Sequence, residues 1–251
     1  MITFRNVTKL YDDKHHALDG VSFTVRRGEY VFITGPSGAG KSTLLRHIYM
    51  GERPTEGEVT VVNLSSSRIK PREVPRLRRK LGVVFQDFRL LDDRSIFDNV
   101  AFVLRLSGVP KRDIGRRVLK ALGSVGLSHR SEDFPDVLSG GEKQRLTIAR
   151  AIVNDPYVLL ADEPTGNLDP ATAADIFAIF ARVNAAGTAV LVATHDVARA
   201  GSGTARRMAL ERGRLVQDTG AAVGGEPGWS PGSAPGPAPD APRDAPRAPG
   251  A

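Results

Sequence analysis

The feature that most constrains this chain is the segment GPSGAGKS at residues 35–42, which directly follows the apolar run YVFIT. It matches the pattern G-x-x-x-x-G-K-S/T, in which a glycine-rich loop joins a buried strand to a helix. Glycines let backbone N–H groups wrap a phosphate chain, and the following helix presents its positive N-terminus to the same anion. The segment therefore predicts an α/β fold with a phosphate cradle between a strand and a helix.

Two side chains of this loop, Lys41 and Ser42, add chemistry that the backbone lacks. A lysine at this position neutralises the β- and γ-phosphates of a nucleotide, and the hydroxyl that follows it is a ligand of Mg²⁺. The predicted cradle consists of Gly35, Pro36, Ser37, Gly38, Ala39, Gly40, Lys41 and Ser42.

Short apolar runs that alternate with helical patterns indicate a parallel sheet. The apolar runs are VFIT at 31–34, LGVVF at 81–85, YVLLA at 157–161 and AVLVAT at 189–194. Helical periodicity occurs at 44–50, 143–153 and 171–183. The N-terminal pieces ITFRNV and LDGVSFTV alternate apolar and polar residues, which predicts an antiparallel layer at the edge. The stretch from about 88 to 150 has no strand pattern, so we expect a helical insertion there.

Composition divides the chain near residue 223. Pro, Gly and Ala make up 20 of the 28 residues in 224–251. Such a segment cannot bury enough apolar surface to fold, so the sequence predicts a disordered tail there and a folded domain over 1–223.

Composition also excludes several classes of protein. Cysteine is absent, which rules out disulfide scaffolds, thiolate metal sites and cysteine nucleophiles. No apolar run approaches the length of a membrane span, and the N-terminus lacks the apolar stretch of a secretory signal. The net charge of +7 suits nucleic acid, an anionic membrane or a phosphorylated ligand. Because no nucleic-acid motif or interleaved aromatic pattern is present, we expect no nucleic-acid partner.

A pair of acids, Asp162 and Glu163, ends the apolar run YVLLA. At the carboxyl edge of a sheet, where α/β proteins bind ligands, Asp162 can hold the metal of a nucleotide. Glu163 can accept a proton from an attacking water as general base. Two acids after a strand can also merely cap a turn, but the phosphate loop favours the catalytic interpretation.

A second glycine-rich helix start lies in LSGGEKQR, at 138–145. Ser139 and Glu142 have the S-x-x-E spacing of a capping box, which alone would indicate only a helix cap. Gly140 and Gly141 leave the backbone open, so this helix start can also bind an anion. The chain thus offers two phosphate-binding helix starts, and the residues leave open whether both meet one nucleotide.

These motifs, in this order, resemble those of the ATPase subunits of ABC transporters. LSGGE is the signature motif of that family, and the resemblance covers nearly all of residues 1–223. It implies a P-loop NTPase of the ABC-ATPase type, with an antiparallel β edge layer and a helical subdomain at about 88–150. The matching elements, in chain order, are Tyr11, GPSGAGKS, Gln86, LSGGE, LLADEP, NLD and His195.

The resemblance also implies roles for residues and a requirement for ATP and Mg²⁺. Tyr11 would stack on adenine, Thr43 would help hold the phosphates and His195 would contact the γ-phosphate. Gln86 would sense Mg²⁺ and link to a membrane partner, and Asp169 would communicate across a dimer. The implied catalytic set is Glu163, His195 and Gln86, and the implied metal set is Ser42, Gln86 and Asp162.

The family further implies that two subunits pack head to tail. Ser139, Gly140 and Gly141 of one chain would close over ATP held in the cradle of the other. Because this chain has one cradle and one signature, a two-fold symmetric homodimer that sandwiches ATP is the simplest arrangement.

The segment GVVFQDFRLLDDRSIFDNVAF, at 82–102, resembles the cell-division branch of the family. This branch works at the cytoplasmic face of the plasma membrane with the membrane protein FtsX, and its ATP cycles activate cell-wall hydrolases. Two alternatives stay open: an ATPase subunit that moves lipoproteins, amino acids or peptides, and a nucleotide-gated division scaffold with little hydrolysis. A DNA-repair ATPase would normally carry a long coiled-coil insertion between the nucleotide motifs, and the sequence has none.

Overall fold

The structure is a computed structural model that describes residues 1–11, 15–195 and 205–220. The tail predicted at 224–251 lies outside the described residues. The strands are β1 (Ile2–Tyr11), β2 (His15–Val25), β3 (Tyr30–Thr34), β4 (Glu56–Val61), β5 (Leu64–Ser65), β6 (Leu81–Val84), β7 (Val158–Asp162), β8 (Ala189–Thr194), β9 (Arg206–Glu211) and β10 (Arg214–Asp218). The α-helices are α1 (Lys41–Ile48), α2 (Val74–Arg78), α3 (Ile96–Leu106), α4 (Lys111–Ser124), α5 (Gly140–Ile152) and α6 (Pro170–Ala185).

Within the described part of the chain, the main sheet consists of six strands in the order β10-β9-β3-β8-β7-β6. Strands β9, β3, β8, β7 and β6 are parallel, and β10 pairs antiparallel with β9. The four predicted runs are β3, β6, β7 and β8, so that prediction is confirmed. Every residue of β8 is buried, as expected for a strand covered on both faces. The segments that follow these strands therefore meet at one edge of the sheet.

A second, antiparallel sheet has the order β2-β1-β4-β5 and confirms the predicted edge layer. In its first pair, Phe4 lies opposite Phe23 with their rings stacked at 4.5 Å. Helix α1 buries Leu44 and Ile48 in the same core as Phe4 of this sheet and Ile33 of the main sheet. This packing fixes the axis of α1, and with it the loop that precedes the helix.

The region expected to be helical contains α3, α4 and most of α5, and has no strand. Val100, Leu122 and Leu146 of these helices share a core with Leu159 of β7 and Phe180 of α6. The helical insertion is confirmed, and the boundaries of a separate subdomain stay a prediction. Among the described residues, no helix combines the length and apolar character that a membrane crossing requires.

The sequence patterns did not predict two strand pairs, β4–β5 and β9–β10. Each pair lies at one end of its sheet, where the outermost strands β5 and β10 take their hydrogen bonds from a single neighbour and need few apolar residues. In the β9–β10 hairpin, Arg212 and Gly213 have φ of 47° and 78°. Positive φ at both central residues is the geometry of a tight hairpin turn, but Arg-Gly is not its usual sequence. Met208 and Leu210 of β9 nevertheless join the buried core.

Candidate nucleotide-binding site

A cavity of about 670 Å³ lies at the carboxyl edge of the main sheet. The sequence-predicted residues that line it are Tyr11, Ser37, Gly38, Ala39, Gly40, Lys41, Ser42, Thr43, Gln86, Glu163 and His195. They come from β1 of the antiparallel sheet, from α1 and from the segments that follow β3, β6, β7 and β8 of the main sheet. Gly35, Pro36 and Asp162 are not in this lining but accept hydrogen bonds from the lining residues Lys41 and Ser42.

The backbone of the loop at 35–40 requires glycine at two positions. Gly35 has φ 145°, and a Cβ there would lie 2.2 Å from the carbonyl oxygen of Leu210. Gly40, the N-cap of α1, has φ 103°, and a Cβ there would lie 2.3 Å from the carbonyl oxygen of Ala17. Both contacts are with backbone that cannot move aside. The loop can therefore approach its neighbours only if these two positions carry no side chain.

Lys41 is held over the loop by its neighbours. Its side chain is 7% exposed, and Nζ donates hydrogen bonds to the carbonyl oxygens of Gly35 at 2.7 Å and Pro36 at 3.1 Å. Oε1 of Glu163 lies 3.4 Å from the same ammonium group. The one cation of the loop is thus buried, fixed in direction and next to the predicted general base.

Ser42 and Asp162, 120 residues apart in the chain, meet behind the cradle. The Ser42 hydroxyl donates a hydrogen bond to Oδ1 of Asp162 at 3.0 Å. Burial raises the pKa of Asp162, and the hydrogen bond from Ser42 opposes that shift. A hydroxyl and a carboxylate oxygen side by side form the kind of oxygen donor set that Mg²⁺ prefers. The chemistry of the pair therefore fits the predicted metal site.

Glu163 sits between Lys41 and His195. Its backbone is in the left-handed region at φ 46°, and its amide donates to the carbonyl oxygen of Ala193 at 2.9 Å. Oε2 lies 2.8 Å from Nδ1 of His195 and accepts from the backbone amide of that residue at 3.3 Å. A non-glycine residue in this conformation is strained, and such strain is concentrated at functional sites. The arrangement aims the carboxylate at the cavity.

Tyr11 lies at the rim of the cavity and is anchored by residues that the motifs did not reveal. Its hydroxyl donates a hydrogen bond to Glu52, which also accepts one from Arg46 at 2.9 Å. Lys9 Nζ lies 5.1 Å from the ring centroid. Burial and the hydrogen bond to Glu52 raise the pKa of Tyr11. Arg46 could have been found by its spacing, because it lies one helical turn after Ser42 on α1. Other cavity residues without a sequence signal are Ala17 and Gly166, whereas Asn167, which also lines the cavity, belongs to the NLD element.

The signature forms the capping box that its spacing predicts. Ser139 is the N-cap of α5, and its Oγ accepts from the amide of Glu142 at 3.3 Å. Glu142 Oε2 accepts from the amide of Ser139 at 2.9 Å, and Oε1 accepts from Arg130 at 2.7 Å. The hydrogen bonds from Ser139, followed by that from Arg130, lower the pKa of Glu142 to about 2.

Asp169 is the N-cap of the adjacent helix α6. Its Oδ1 accepts from the amides of Ala171 and Thr172, each at 3.0 Å, and hydrogen bonds from Thr172 are the main cause of its lowered pKa. A Cβ on Gly141 would lie 2.5 Å from Cγ2 of Thr172, so the starts of α5 and α6 touch. Neither Asp169 nor the signature residues Ser139, Gly140 and Gly141 line the cavity of their own chain.

Comparison with known proteins places these features in one family. The family model described as ABC transporter matches residues 18–166. The cell-division ATP-binding protein FtsE of Escherichia coli is 49% identical over 215 residues, covering 86% of this chain and 97% of that protein. FtsE of Mycobacterium tuberculosis is 49% identical over 219 residues, covering 87% of this chain and 95% of that protein. FtsE of Streptococcus pneumoniae is 46% identical, with coverage of 87% and 95%.

Solved structures share the fold. The dimeric structure of the ATP-binding cassette MJ0796, in a post-hydrolysis state bound to ADP and Pi, is 35% identical with a TM-score of 0.78. The match covers 87% of this chain and 97% of that one. CbiO1 of Clostridium perfringens, part of the ABC transporter complex CbiONQ, is 30% identical with a TM-score of 0.80, covering 86% and 87%. The chain belongs to the ABC transporter family of ATP-binding subunits and is an ATPase, with the FtsE proteins among its relatives.

Proposed function

We propose that this ATPase is the cytoplasmic subunit of a cell-division complex and binds, as a peripheral protein, to a membrane protein resembling FtsX. ATP cycles in the subunit would move that partner and lead to activation of cell-wall hydrolases. The similarity to FtsE proteins and the amino-acid sequence of residues 82–102 support the cell-division role. The observation that carries the catalytic role is the convergence of Lys41, Glu163 and His195 in one cavity.

The geometry suggests how this chain turns over ATP. Lys41 exchanges its carbonyl partners for the β- and γ-phosphates, which leaves Glu163 free of its cation. Glu163 then accepts the proton of the attacking water, because its carboxylate faces the cavity. His195 holds Oε2 of Glu163 and offers its ring to the γ-phosphate. Tyr11, kept at the rim by Glu52, stacks on the adenine.

Ser42, Asp162 and Gln86 would hold Mg²⁺ in this site. The ion, when bound, neutralises charge on the β- and γ-phosphates. Ser42 and Asp162 are already in hydrogen-bond contact, whereas Gln86 reaches the cavity from the segment after β6. A residue on that segment can respond both to the nucleotide and to a partner outside the cavity.

The positions of the signature residues support a homodimer. Ser139 and Gly140 are exposed, and the cavity of their own chain does not include them. In a head-to-tail pair, each signature would close over the ATP in the other chain's cradle, where the helix start supplies N–H groups to the γ-phosphate. MJ0796, at 36% identity, is described as a dimer.

The catalytic assignment is tested with Glu163→Gln. This variant should bind ATP like the wild type, because Lys41 and the loop are unchanged, and should accumulate as the ATP-bound dimer. Its turnover should fall by about 100-fold or more, the usual loss when a general base is removed. Lys41→Ala is the matched control and should lose nucleotide binding itself. Unchanged hydrolysis by Glu163→Gln would refute the role of Glu163.

The partner is tested by affinity purification of tagged Glu163→Gln with ATP from gently solubilised membranes, with Lys41→Ala as the control. Co-purification of a membrane protein with few spans and a large extracytoplasmic domain, together with a cell-wall hydrolase, supports the proposal. A permease with many spans, or a substrate-binding protein, would instead identify a transporter for lipoproteins, amino acids or peptides.

A further inference from the structure

The segment that carries Gln86 is fastened to the signature helix α5 by two side chains. Arg150 Nη1 donates a hydrogen bond of 2.6 Å to the carbonyl oxygen of Arg89. Thr147 Oγ1 lies 3.4 Å from the carbonyl oxygen of Phe88 and 3.0 Å from that of Lys143 in its own helix. Both contacts reach the backbone within three residues of Gln86. A displacement of α5 would therefore displace the turn at Phe88 and Arg89 as well.

The turn that Arg150 holds is a strained one. Arg89 has φ 50°, in the left-handed region that non-glycine residues rarely adopt. Its guanidinium lies 4.1 Å from the ring centroid of Phe85, and its Nε is 3.2 Å from Oδ2 of Asp87. Such a conformation persists only where its surroundings hold it. The hydrogen bond from Arg150 goes to the carbonyl of this same residue.

Helix α5 begins at the signature and reaches Arg150 ten residues after Gly140, a distance of about 15 Å along a rigid helix. One end of α5 thus carries the residues proposed to meet the other subunit's ATP, and its far end holds the turn after Gln86. We propose that Arg150 is a positioning residue that keeps Gln86 at the nucleotide cavity and couples its position to that of the signature. The coupling between subunits rests on the proposed dimer, whereas the positioning of Gln86 does not.

The test compares Arg150→Ala and Arg150→Lys with the wild type, as purified chains without any membrane partner. We expect kcat to fall about tenfold in Arg150→Ala, as is usual when a residue that orients a metal ligand is lost. The apparent Mg²⁺ requirement should rise. Equilibrium binding of ATP without Mg²⁺ should stay within about twofold of the wild type, because Arg150 does not line the nucleotide cavity. Lysine can donate one hydrogen bond to the same carbonyl, so Arg150→Lys should recover part of the rate.

The matched control is Arg182→Ala. Arg182, on α6, also donates to a backbone carbonyl, that of Ser124, at 3.3 Å. That carbonyl lies at the end of α4, away from the segment that carries Gln86. The control should keep both kcat and the Mg²⁺ requirement of the wild type.

A double-mutant cycle with Gln86→Ala decides whether Arg150 acts through Gln86. We expect Arg150→Ala to have no further effect on kcat when Gln86 is already alanine. A full tenfold loss in both backgrounds, or an equal loss in Arg182→Ala, would overturn the proposal. If Arg150→Ala does not fold, the same cycle is run with Arg150→Lys. Residual hydrolysis in Gln86→Ala makes the cycle measurable, and failure of the Glu163 assignment would appear separately in Glu163→Gln.

Discussion

Single residues of the cradle are selected by contacts that leave no space for a Cβ. Gly40 faces the carbonyl oxygen of Ala17 and Gly35 faces that of Leu210, both from conformations with positive φ. The neighbouring carbonyls belong to β2 and β9, so the loop is shaped by both sheets. The motif pattern predicts the glycines, and the packing explains why no other residue serves.

Gly40→Ala should therefore damage both stability and binding. The strained backbone and the contact at 2.3 Å should lower the free energy of unfolding by about 2 kcal/mol and weaken ATP binding. Gly115→Ala on α4 is the control, since a Cβ there meets nothing within 4 Å. It should raise the free energy of unfolding by up to about 1 kcal/mol. Urea unfolding of both variants measures this, and equal effects would contradict the steric argument.

At the scale of elements, α5 begins at a reciprocal N-terminal cap. Ser139 and Glu142 satisfy each other's backbone amides, and Arg130 adds a charged hydrogen bond to Glu142. The same cap that stabilises the helix keeps the signature backbone in place. Stability and signature geometry should consequently change together.

This cap predicts a specific pH dependence. The pKa of Glu142 is lowered to about 2 in the folded chain, so its stabilisation is complete above its ordinary value of 4.5 and is lost as pH falls towards 2. At pH 6, Glu142→Gln should lower the free energy of unfolding by about 1 kcal/mol. This difference from the wild type should shrink towards zero at pH 2. The control, Glu211→Gln at the exposed end of β9, removes a carboxylate that caps no helix and should leave the free energy of unfolding at pH 6 close to that of the wild type. A difference that is independent of pH would contradict the assignment.

At the scale of the whole molecule, the cradle and the signature of one chain lie apart, so each can be damaged without the other. A dimer that joins the cradle of one chain to the signature of its partner can then be tested by mixing two variants. Lys41→Ala damages a cradle and leaves a signature intact. Gly140→Asp places a negative charge at an exposed, uncrowded position of the signature and leaves a cradle intact. Neither variant alone should hydrolyse ATP.

Equimolar mixing of the two variants should restore about a quarter of the wild-type rate. In a random mixture half of the dimers are mixed, and each mixed dimer has one intact site of two in a two-fold arrangement. A coupled ATPase assay of the mixture measures the recovery. No recovery over the separate variants would contradict a site built from two chains.

Much of this protein could be predicted from local pattern. The four buried strands, the loop at 35–42 and the start of α5 were recognisable because apolar runs, glycine spacing and capping residues act within a few residues of one another. Tyr11, Gln86 and His195 were located only by their resemblance to a family, since each carries no local signal of its own. That Tyr11, Gln86 and His195 line one cavity could be learned only from the fold.

Sequence alone determined which segments form the parallel strands and where a phosphate chain can bind, because these depend on local backbone chemistry. Only the tertiary structure decided that Lys41, Glu163 and His195 share one site and that Arg46 and Glu52 anchor Tyr11. It also decided that Arg150 holds the turn after Gln86 and that the strands β4, β5, β9 and β10 exist. These features depend on contacts between distant parts of the chain, and packing of the two sheets around α1 brings those parts together.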